Sequence, residues 1–284
     1  MNSTSLPIPL YSARMVVLGS RGMLGQVVCR HFGKLVRELI HYPGRFSQAD
    51  AGSSVRELAA LAPDIVINCA GAIKQRTSND SELLYANALL PLELAALLPS
   101  HTRLIHPSTD CVFSGASTAP YPTDHPTDAR DVYGWSKYLG EQALLGRPLT
   151  LIPRVSIIGP DGREGGPGLL NWFLRQPEGS TLNGFTNHHW NGITTLEWCH
   201  QVERRLLSGE GFCNHQATRF QLGTADAINK HDLLHAFARH FGRRVTITPH
   251  NAGESVHRVL APDAFCPPIE SQLSDLAHWM SSAS

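Results

Sequence analysis

The stretch "MVVLGSRGMLGQVVCRHFG", Met15 to Gly33, decides the fold. Its first five residues are a short apolar run ending in glycine, the pattern of a buried strand. Its last eleven have helical spacing and close on Gly33, which suits a helix C-cap. Between them, "GSRGMLG" sets Gly19, Gly22 and Gly25 in a GxxGxxG pattern. In a strand–turn–helix each glycine has a use. The first permits the tight turn, the second lets backbone approach a pyrophosphate, and the third lets helix pack on sheet. The helix N-terminus, at Met23 and Leu24, adds free N–H donors and a partial positive charge. The plainer reading of three glycines alone is a turn with no ligand.

Outward from this loop, strands and helices alternate. "SVRELAALAPDIVINCAG" reads as a helix and then a strand at Asp64 to Cys69. "DSELLYANALLPLELAALLP" reads as a helix, "TRLIHPSTD" as a strand, "YGWSKYLGEQALL" as a helix and "LTLIPRVSIIG" as a strand. This rhythm argues for βαβ units and a parallel sheet. After Ile158 the texture changes. "GPDGREGGPG" is a glycine-rich loop, "LLNWFLRQ" is helical, and "NGFTNHHWNG" is aromatic and irregular. "TTLEWCHQVERRLL", "NKHDLLHAFARHFG" and "ESQLSDLAHWM" read as helices, and "RFQLG" and "RRVTITPH" as strands. The fold expected is α/β, a Rossmann-like doubly wound parallel sheet with a smaller C-terminal substrate-binding lobe. Residues 1–13 are expected to be a loose tail and 14–151 the nucleotide-binding lobe. Residues 152–284 then form mainly the substrate lobe, with the segment near 193–225 returning to the first.

Bulk composition narrows the partners. The 284 residues carry 24 Lys plus Arg against 24 Asp plus Glu, with 42% apolar and 17% charged residues. No basic excess points to nucleic acid, and no cationic amphipathic run points to a membrane. The six cysteines form no CxxC pair, which suggests free thiols in a reducing compartment. The opening "MNSTSLPIPLYSAR" is too short and polar for a signal peptide, so a cytoplasmic location is expected. Fifteen histidines show no HExxH spacing, and no metal is assigned.

The cofactor expected in the loop is a dinucleotide. NAD binders often carry an acid about 20 residues on, at the ribose 2′-hydroxyl. Here "LIHYPGRFSQAD" offers Arg45 instead, and Arg21 sits inside the glycine loop. A guanidinium suits a 2′-phosphate. This favours NADP(H) over NAD(H), unless both arginines are ordinary solvated charges.

"HPSTDCVFSG", His106 to Gly115, puts a hydroxyl, a carboxylate and a thiol where a strand opens into a loop. Open α/β sheets bind their ligands at such carboxyl ends. "YGWSK" places Tyr133 and Lys137 four apart, on one face of a helix. A phenol is a poor acid–base group at neutral pH unless a neighbouring cation lowers its pKa.

With the glycine loop and "NCAG", these motifs resemble the extended short-chain dehydrogenase/reductase family over nearly the whole chain. "HPSTDCVFSG", "YGWSKYLGE" and "PRVSIIG" are most similar to its dTDP-4-dehydrorhamnose reductase group. The resemblance implies a Thr109–Tyr133–Lys137 catalytic set and a cofactor wall of Ala70, Gly71 and Ala72. It also implies NADPH-dependent reduction of a 4-keto group on a nucleotide-activated deoxysugar, for glycan precursor synthesis. "NCAGAIKQ" and "NGFTNHHWNGITT" depart from that group, so the particular sugar stays open. Assembly as a homodimer stays open too.

In this reading Tyr133 delivers a proton to the ketone oxygen and Thr109 orients that oxygen. Lys137 holds the cofactor ribose and keeps the tyrosine pKa low. Asp110 accepts a sugar hydroxyl or caps a loop. Asn87 bonds active-site backbone or serves its own helix. Trp190, with Asn187 nearby, stacks on the nucleobase or fills the small lobe's core. Cys111 is either a buried filler or an acid–base group that makes the enzyme an epimerase/reductase. Dehydration is disfavoured, because dehydratases of the family resemble "TDE" where this chain has "TDC". A non-catalytic NADP-binding regulatory subunit is the remaining alternative, opposed by the intact Tyr–Lys pair.

Overall fold

The computed structural model describes residues 7–44, 46–47, 49, 52–162, 166–251 and 253–282. The first half alternates as expected: β1 (Arg14–Leu18), α1 (Met23–Phe32), β2 (Glu38–His41), α2 (Ser53–Ala60) and β3 (Ile65–Asn68). Then come α3 (Asp80–Leu84), a π-helical turn (Tyr85–Leu89) and α4 (Leu90–Leu97). They are followed by β4 (Arg103–Ile105), β5 (Ser108–Thr109), α5 (Val132–Leu144), β6 (Thr150–Val155) and β7 (Ile157–Ile158). The second half contributes α6 (Leu169–Leu174), β8 (Thr181–Phe185), β9 (His188–Trp190), β10 (Ile193–Thr194) and α7 (Thr195–Ser208). It ends with β11 (Ala217–Thr224), β12 (Ile228–Asn229), α8 (Lys230–His240), β13 (Thr246–His250), β14 (Val256–Arg258), β15 (Ala264–Cys266) and α9 (Ile269–Ser281).

The central sheet has the order β2-β1-β3-β4-β6-β11-β15, with β5 beside β6. Every pairing in it is parallel. Parallel strands are covered on both faces and so read as continuous apolar runs. β3 accordingly is buried along its whole length. Val27, Val28 and Phe32 of α1 and Trp198, Val202 and Leu206 of α7 fill one face. Val55, Leu58, Leu90, Leu94 and Leu144 fill the other. Each fully buried side chain of this kind contributes about 1.5–3 kcal/mol.

The small lobe packs α6, α8 and α9 around Leu170, Phe173, Leu233, Phe237 and Leu273. Two small sheets edge it, β12-β9-β14 and β13-β8.

Four expectations change. The "irregular" stretch "NGFTNHHWNG" is the end of β8, a turn and β9, paired with β13 and β14 from more than 60 residues on. Such distant partners leave no periodic trace in the segment itself. The strand expected over "TRLIHPSTD" breaks at His106 and Pro107, so that β4 and β5 pair separately with β6. The boundary expected at 151 falls inside β6, and β15, from beyond the returning segment, closes the sheet. Within the expected tail, residues 10–12 form a 3₁₀ turn that buries Leu10 in the sheet lobe's core.

Candidate active site

Loops at the carboxyl ends of β1, β3 and β5 converge with the first turns of α1 and α5. At the end of β1, Gly19 holds a left-handed φ of +66°, and an added Cβ would stand 2.7 Å from the Ala70 nitrogen. Only glycine lets the first loop lie this close to the wall at Ala70, Gly71 and Ala72. α1 starts at Gly22 with no side-chain cap, so its first N–H groups are left for a ligand. Arg21 is exposed at the loop's rim. Met23 and Leu24 open the helix, half-buried and buried, and Gly25 is packed. Arg45 lies outside the described residues.

The wall is fixed from behind. Asn87 accepts from the Ala72 N–H at 3.2 Å and donates to the Ala72 carbonyl at 2.9 Å and to Ser136 Oγ at 3.0 Å. It is fully buried in the π-helical turn, a distortion that often marks functional sites. Asn87 therefore ties the wall to α5. Beneath it, Asn68 donates to a ring nitrogen of His106 at 3.0 Å and accepts from the Ala70 N–H at 3.2 Å.

Asp131 caps α5 by accepting from the Gly134 N–H at 2.9 Å. Gly134 packs against the Cys111 carbonyl with no room for a side chain, which brings Tyr133 down onto the β5 loop. Thr109 and Asp110 are 6% and 5% exposed. The Thr109 hydroxyl donates to Asp110 at 3.0 Å, accepts from the Cys111 N–H at 3.1 Å, and is hydrogen-bonded to the Tyr133 phenol. Burial raises the phenol above its ordinary value, with Thr109 the largest opposing influence. The expected lowering by Lys137 is thus corrected. The Lys137 ammonium turns to the Pro107 carbonyl at 3.2 Å, and burial brings its own pKa down to about 8. Thr109 and Tyr133 are in contact, the Lys137 ammonium lies at Pro107 of the same loop, and the raised phenol stays protonated at neutral pH.

One turn beyond Lys137, Glu141 is completely buried. It accepts from Ser108 Oγ at 2.5 Å, from Arg154 at 2.8 and 2.7 Å, and from Arg219 at 3.3 Å. This network locks α5 to β5, β6 and β11.

Across the cleft, Arg258 of β14 donates to Cys111 Sγ at 3.3 Å. Burial and Asp110 push the thiol up to about 12, against the pull of Arg258. The Asp110 carboxyl is also raised, by burial. Lys230, half-buried at the start of α8, interacts electrostatically with Asp110, Cys111 and Arg258.

The structure does not place Trp190 in the cleft. It is 8% exposed in the small-lobe core, with its ring against Gly192. Asn187 staples a turn instead, donating to Asn251 at 2.9 Å and to the Glu254 carbonyl at 3.2 Å. Among the described residues no cluster of three or more His, Cys, Asp or Glu could hold a metal, and no helix is long and apolar enough to cross a membrane.

The RmlD substrate binding domain matches residues 13–168, more than half the chain, and so spans every motif of this site. The chain belongs to the RmlD substrate binding domain family. A probable dTDP-4,6-dihydroxy-2-methyloxan-3-one 4-ketoreductase of Streptomyces antibioticus is 32% identical over 178 residues, 60% of this chain and 59% of that protein. A dTDP-4-dehydrorhamnose reductase of Mycobacterium tuberculosis is 34% identical over 142 residues, 47% of this chain and 46% of that protein. The chain thus matches about half the length of these relatives. The dTDP-4-dehydrorhamnose reductase of Bacillus anthracis, solved in complex with NADP, has the same fold. Its TM-score is 0.78 at 16% identity, over 93% of this chain and 98% of that one.

Within this RmlD-type site, sequence reasoning missed Glu141, Lys230 and Arg258. Glu141 had a signal, four residues after Lys137 on the same helix face. Arg258 and Lys230 had none, because their place in the cleft depends on how the small lobe closes.

Proposed function

We propose that the chain reduces a 4-keto group on a nucleotide-activated deoxysugar, with NADPH as hydride donor. The observation that carries this is the Thr109–Tyr133 contact, with the Lys137 ammonium at Pro107 of the same loop and close to Gly71 of the wall. The names of the matched relatives agree with it.

The residues fit a dinucleotide. The uncapped α1 N-terminus offers N–H donors to a pyrophosphate, and the Gly19 turn clears the space beside the wall. Arg21 at the rim meets a 2′-phosphate, and no acid follows β2 at His41 and Tyr42 to repel it. Lys137, next to Gly71, holds the ribose hydroxyls. When bound, the nicotinamide supplies the hydride.

The chain's own residues do the rest. Thr109 gives its one hydroxyl proton to Asp110 until substrate enters, and turning that proton to the ketone oxygen lets it donate there and orient the oxygen. Tyr133 is protonated and passes its proton to the same oxygen as negative charge develops. Holding both donors on rigid elements beside the cofactor wall removes the entropy cost of bringing the partners together.

Turnover against a panel of 4-keto dTDP-, UDP- and GDP-sugars with NADPH tests the reading. Product reduced at carbon 4 from at least one of them is the expected result. No turnover on any, with NADPH bound, would overturn it.

A further inference from the structure

The sheet lobe holds a cavity that the reaction does not use. Its volume is about 630 Å³, within the usual size of a small-molecule site. Successive residues of β11 face opposite sides of the sheet. Phe220 and Leu222 pack into the core with α7, while Ala217 packs with Leu144 on the α5 side, and Arg219 shares that side. α5 stops at Leu144, so the cavity opens past its end, between β11 and the loops at 122–124 and 261–263.

Arg219 gives the cavity a positive end. Arg154 already takes both oxygens of Glu141, at 2.8 and 2.7 Å, and Arg219 reaches only one of them, at 3.3 Å. Two guanidinium groups share one carboxylate, which leaves one positive charge over. Arg219 is the member of this network that a ligand reaches. Its side chain is 25% exposed where that of Arg154 is 1% exposed, and it lines the cavity. Its Nε is buried without an acceptor, and among the described residues no bond engages its Nη2.

Asp124 and Asp263 give it a negative end. Through one oxygen Asp263 accepts from the Gln221 N–H at 2.8 Å and from the Thr123 hydroxyl at 2.5 Å. Among the described residues no bond engages its other oxygen, and no ion pair joins either aspartate to Arg219. Opposite charges therefore line one cavity without touching. Leu145, Pro122 and Pro262 add an apolar wall.

This lining selects among ligand classes. An anion alone would meet two carboxylates against one guanidinium. A cation alone would meet the charge that Arg219 leaves over. A zwitterion satisfies both ends, its carboxylate in the guanidinium fork and its ammonium at the aspartates. We propose that the cavity binds a free α-amino acid with an apolar side chain, which lies along Leu145 and the two prolines. The site shares no residue with the cleft and stands independently of the proposed reduction.

Calorimetric titration with leucine, valine and phenylalanine tests it, together with the deaminated and decarboxylated analogues of whichever binds most tightly. At least one amino acid should bind with a Kd of about 1 mM or below and raise the thermal unfolding midpoint. Each analogue should bind about tenfold more weakly or worse, the worth of one charged hydrogen bond. Arg219→Gln should bring the amino acid down to the affinity of its decarboxylated analogue. Asp124→Asn combined with Asp263→Asn should bring it down to that of its deaminated analogue. A cooperative unfolding transition reports that a variant is folded, and should Arg219→Gln fail to fold, the aspartate pair decides alone. No binding by any of the three amino acids at about 10 mM, or binding that neither variant weakens, would overturn the site. A deaminated analogue that binds as tightly as the amino acid would overturn the ligand class.

Discussion

On the sheet side of the cleft, Glu141 gathers Ser108, Arg154 and Arg219 into one buried network directly behind Thr109 and Lys137. On the small-lobe side, Lys230 has no hydrogen-bond or ion-pair partner among the described residues, and the Arg258 Nε is buried without an acceptor. The first wall is set before any ligand arrives. The second keeps unspent cations that only an anionic ligand would satisfy. The proposed reduction needs this division, because proton donors must be held within fractions of an ångström while a large substrate must be admitted and released. The comparison separates two kinds of loss. Damage to the sheet wall should lower kcat, and damage to the small-lobe wall should raise KM.

The largest effect tests the sheet wall directly. Tyr133→Phe keeps the ring and removes the proton, so kcat should fall by about 10²–10⁴-fold with NADPH affinity nearly intact. Near-normal turnover would mean that the proton comes from elsewhere and that the wall's rigidity serves packing alone. Next in size is Glu141→Ala. It leaves Arg154, 1% exposed, as an unpaired buried charge, which typically costs about 3–5 kcal/mol. Denaturant unfolding should show a loss of that order. An unfolding midpoint equal to wild type would show that the network is not what sets this wall.

Lys137 gives the comparison a pH dependence. Its pKa is brought from 10.5 down to about 8, so it is charged below that value and neutral above it. Affinity for the anionic cofactor should therefore fall as pH rises through about 8, and Lys137→Met should flatten the profile. The stability contribution runs the other way. Between about 8 and 10.5 the unfolded chain holds this proton and the folded chain does not, so stability from this group rises with pH there. A cofactor affinity that is flat across this range in wild type would show that the ammonium does not face the bound cofactor.

Legibility from sequence follows the same division. The sheet wall is written in contiguous motifs: the glycine loop, "STD", and "YGWSK" with its helical spacing. Local rules place the STD stretch at a strand end and Tyr133 and Lys137 on one helix face, and the resemblance to the reductase group is what names Thr109, Tyr133 and Lys137 as a set. The small-lobe wall is assembled from segments far apart. Lys230 and Arg258 are 28 residues apart and lie well over 100 residues from Cys111. Only pairing between β9, β12 and β14 brings them there. The sequence leaves Trp190 open between the nucleobase and the small-lobe core for the same reason. Which way its ring faces is set by the distant strands that pair with β9, and β9 turns it into the core.

A smaller effect concerns the cofactor's second phosphate. Arg21 is the one rim arginine among the described residues of the glycine loop. A charged contact there is worth roughly 1.5–3 kcal/mol, so Arg21→Ala should weaken NADPH by about one to two factors of ten and leave NADH unchanged. Parallel titrations of both cofactors check this. Equal affinities in wild type would remove the preference for NADPH.

The smallest expected effect is at Cys111, which touches both walls. Its backbone N–H is held by Thr109 on the sheet side, and its sulfur receives the Arg258 guanidinium from the small lobe. A thiol becomes a working base when a cation lowers its pKa, and the fold has supplied such a cation. Burial and the neighbouring Asp110 outweigh it, and the thiol stands at about 12. It therefore keeps its proton at neutral pH and cannot take one from a carbon beside the ketone. Cys111→Ser should turn over close to wild type. In deuterated solvent, neither protein should place deuterium at carbons 3 or 5 of the product. Deuterium present with wild type and absent with Cys111→Ser would mean that bound substrate overcomes the burial. The chain would then be an epimerase–reductase, with Arg258 the small lobe's direct contribution to the chemistry, and the division of labour between the two walls would fail at this residue.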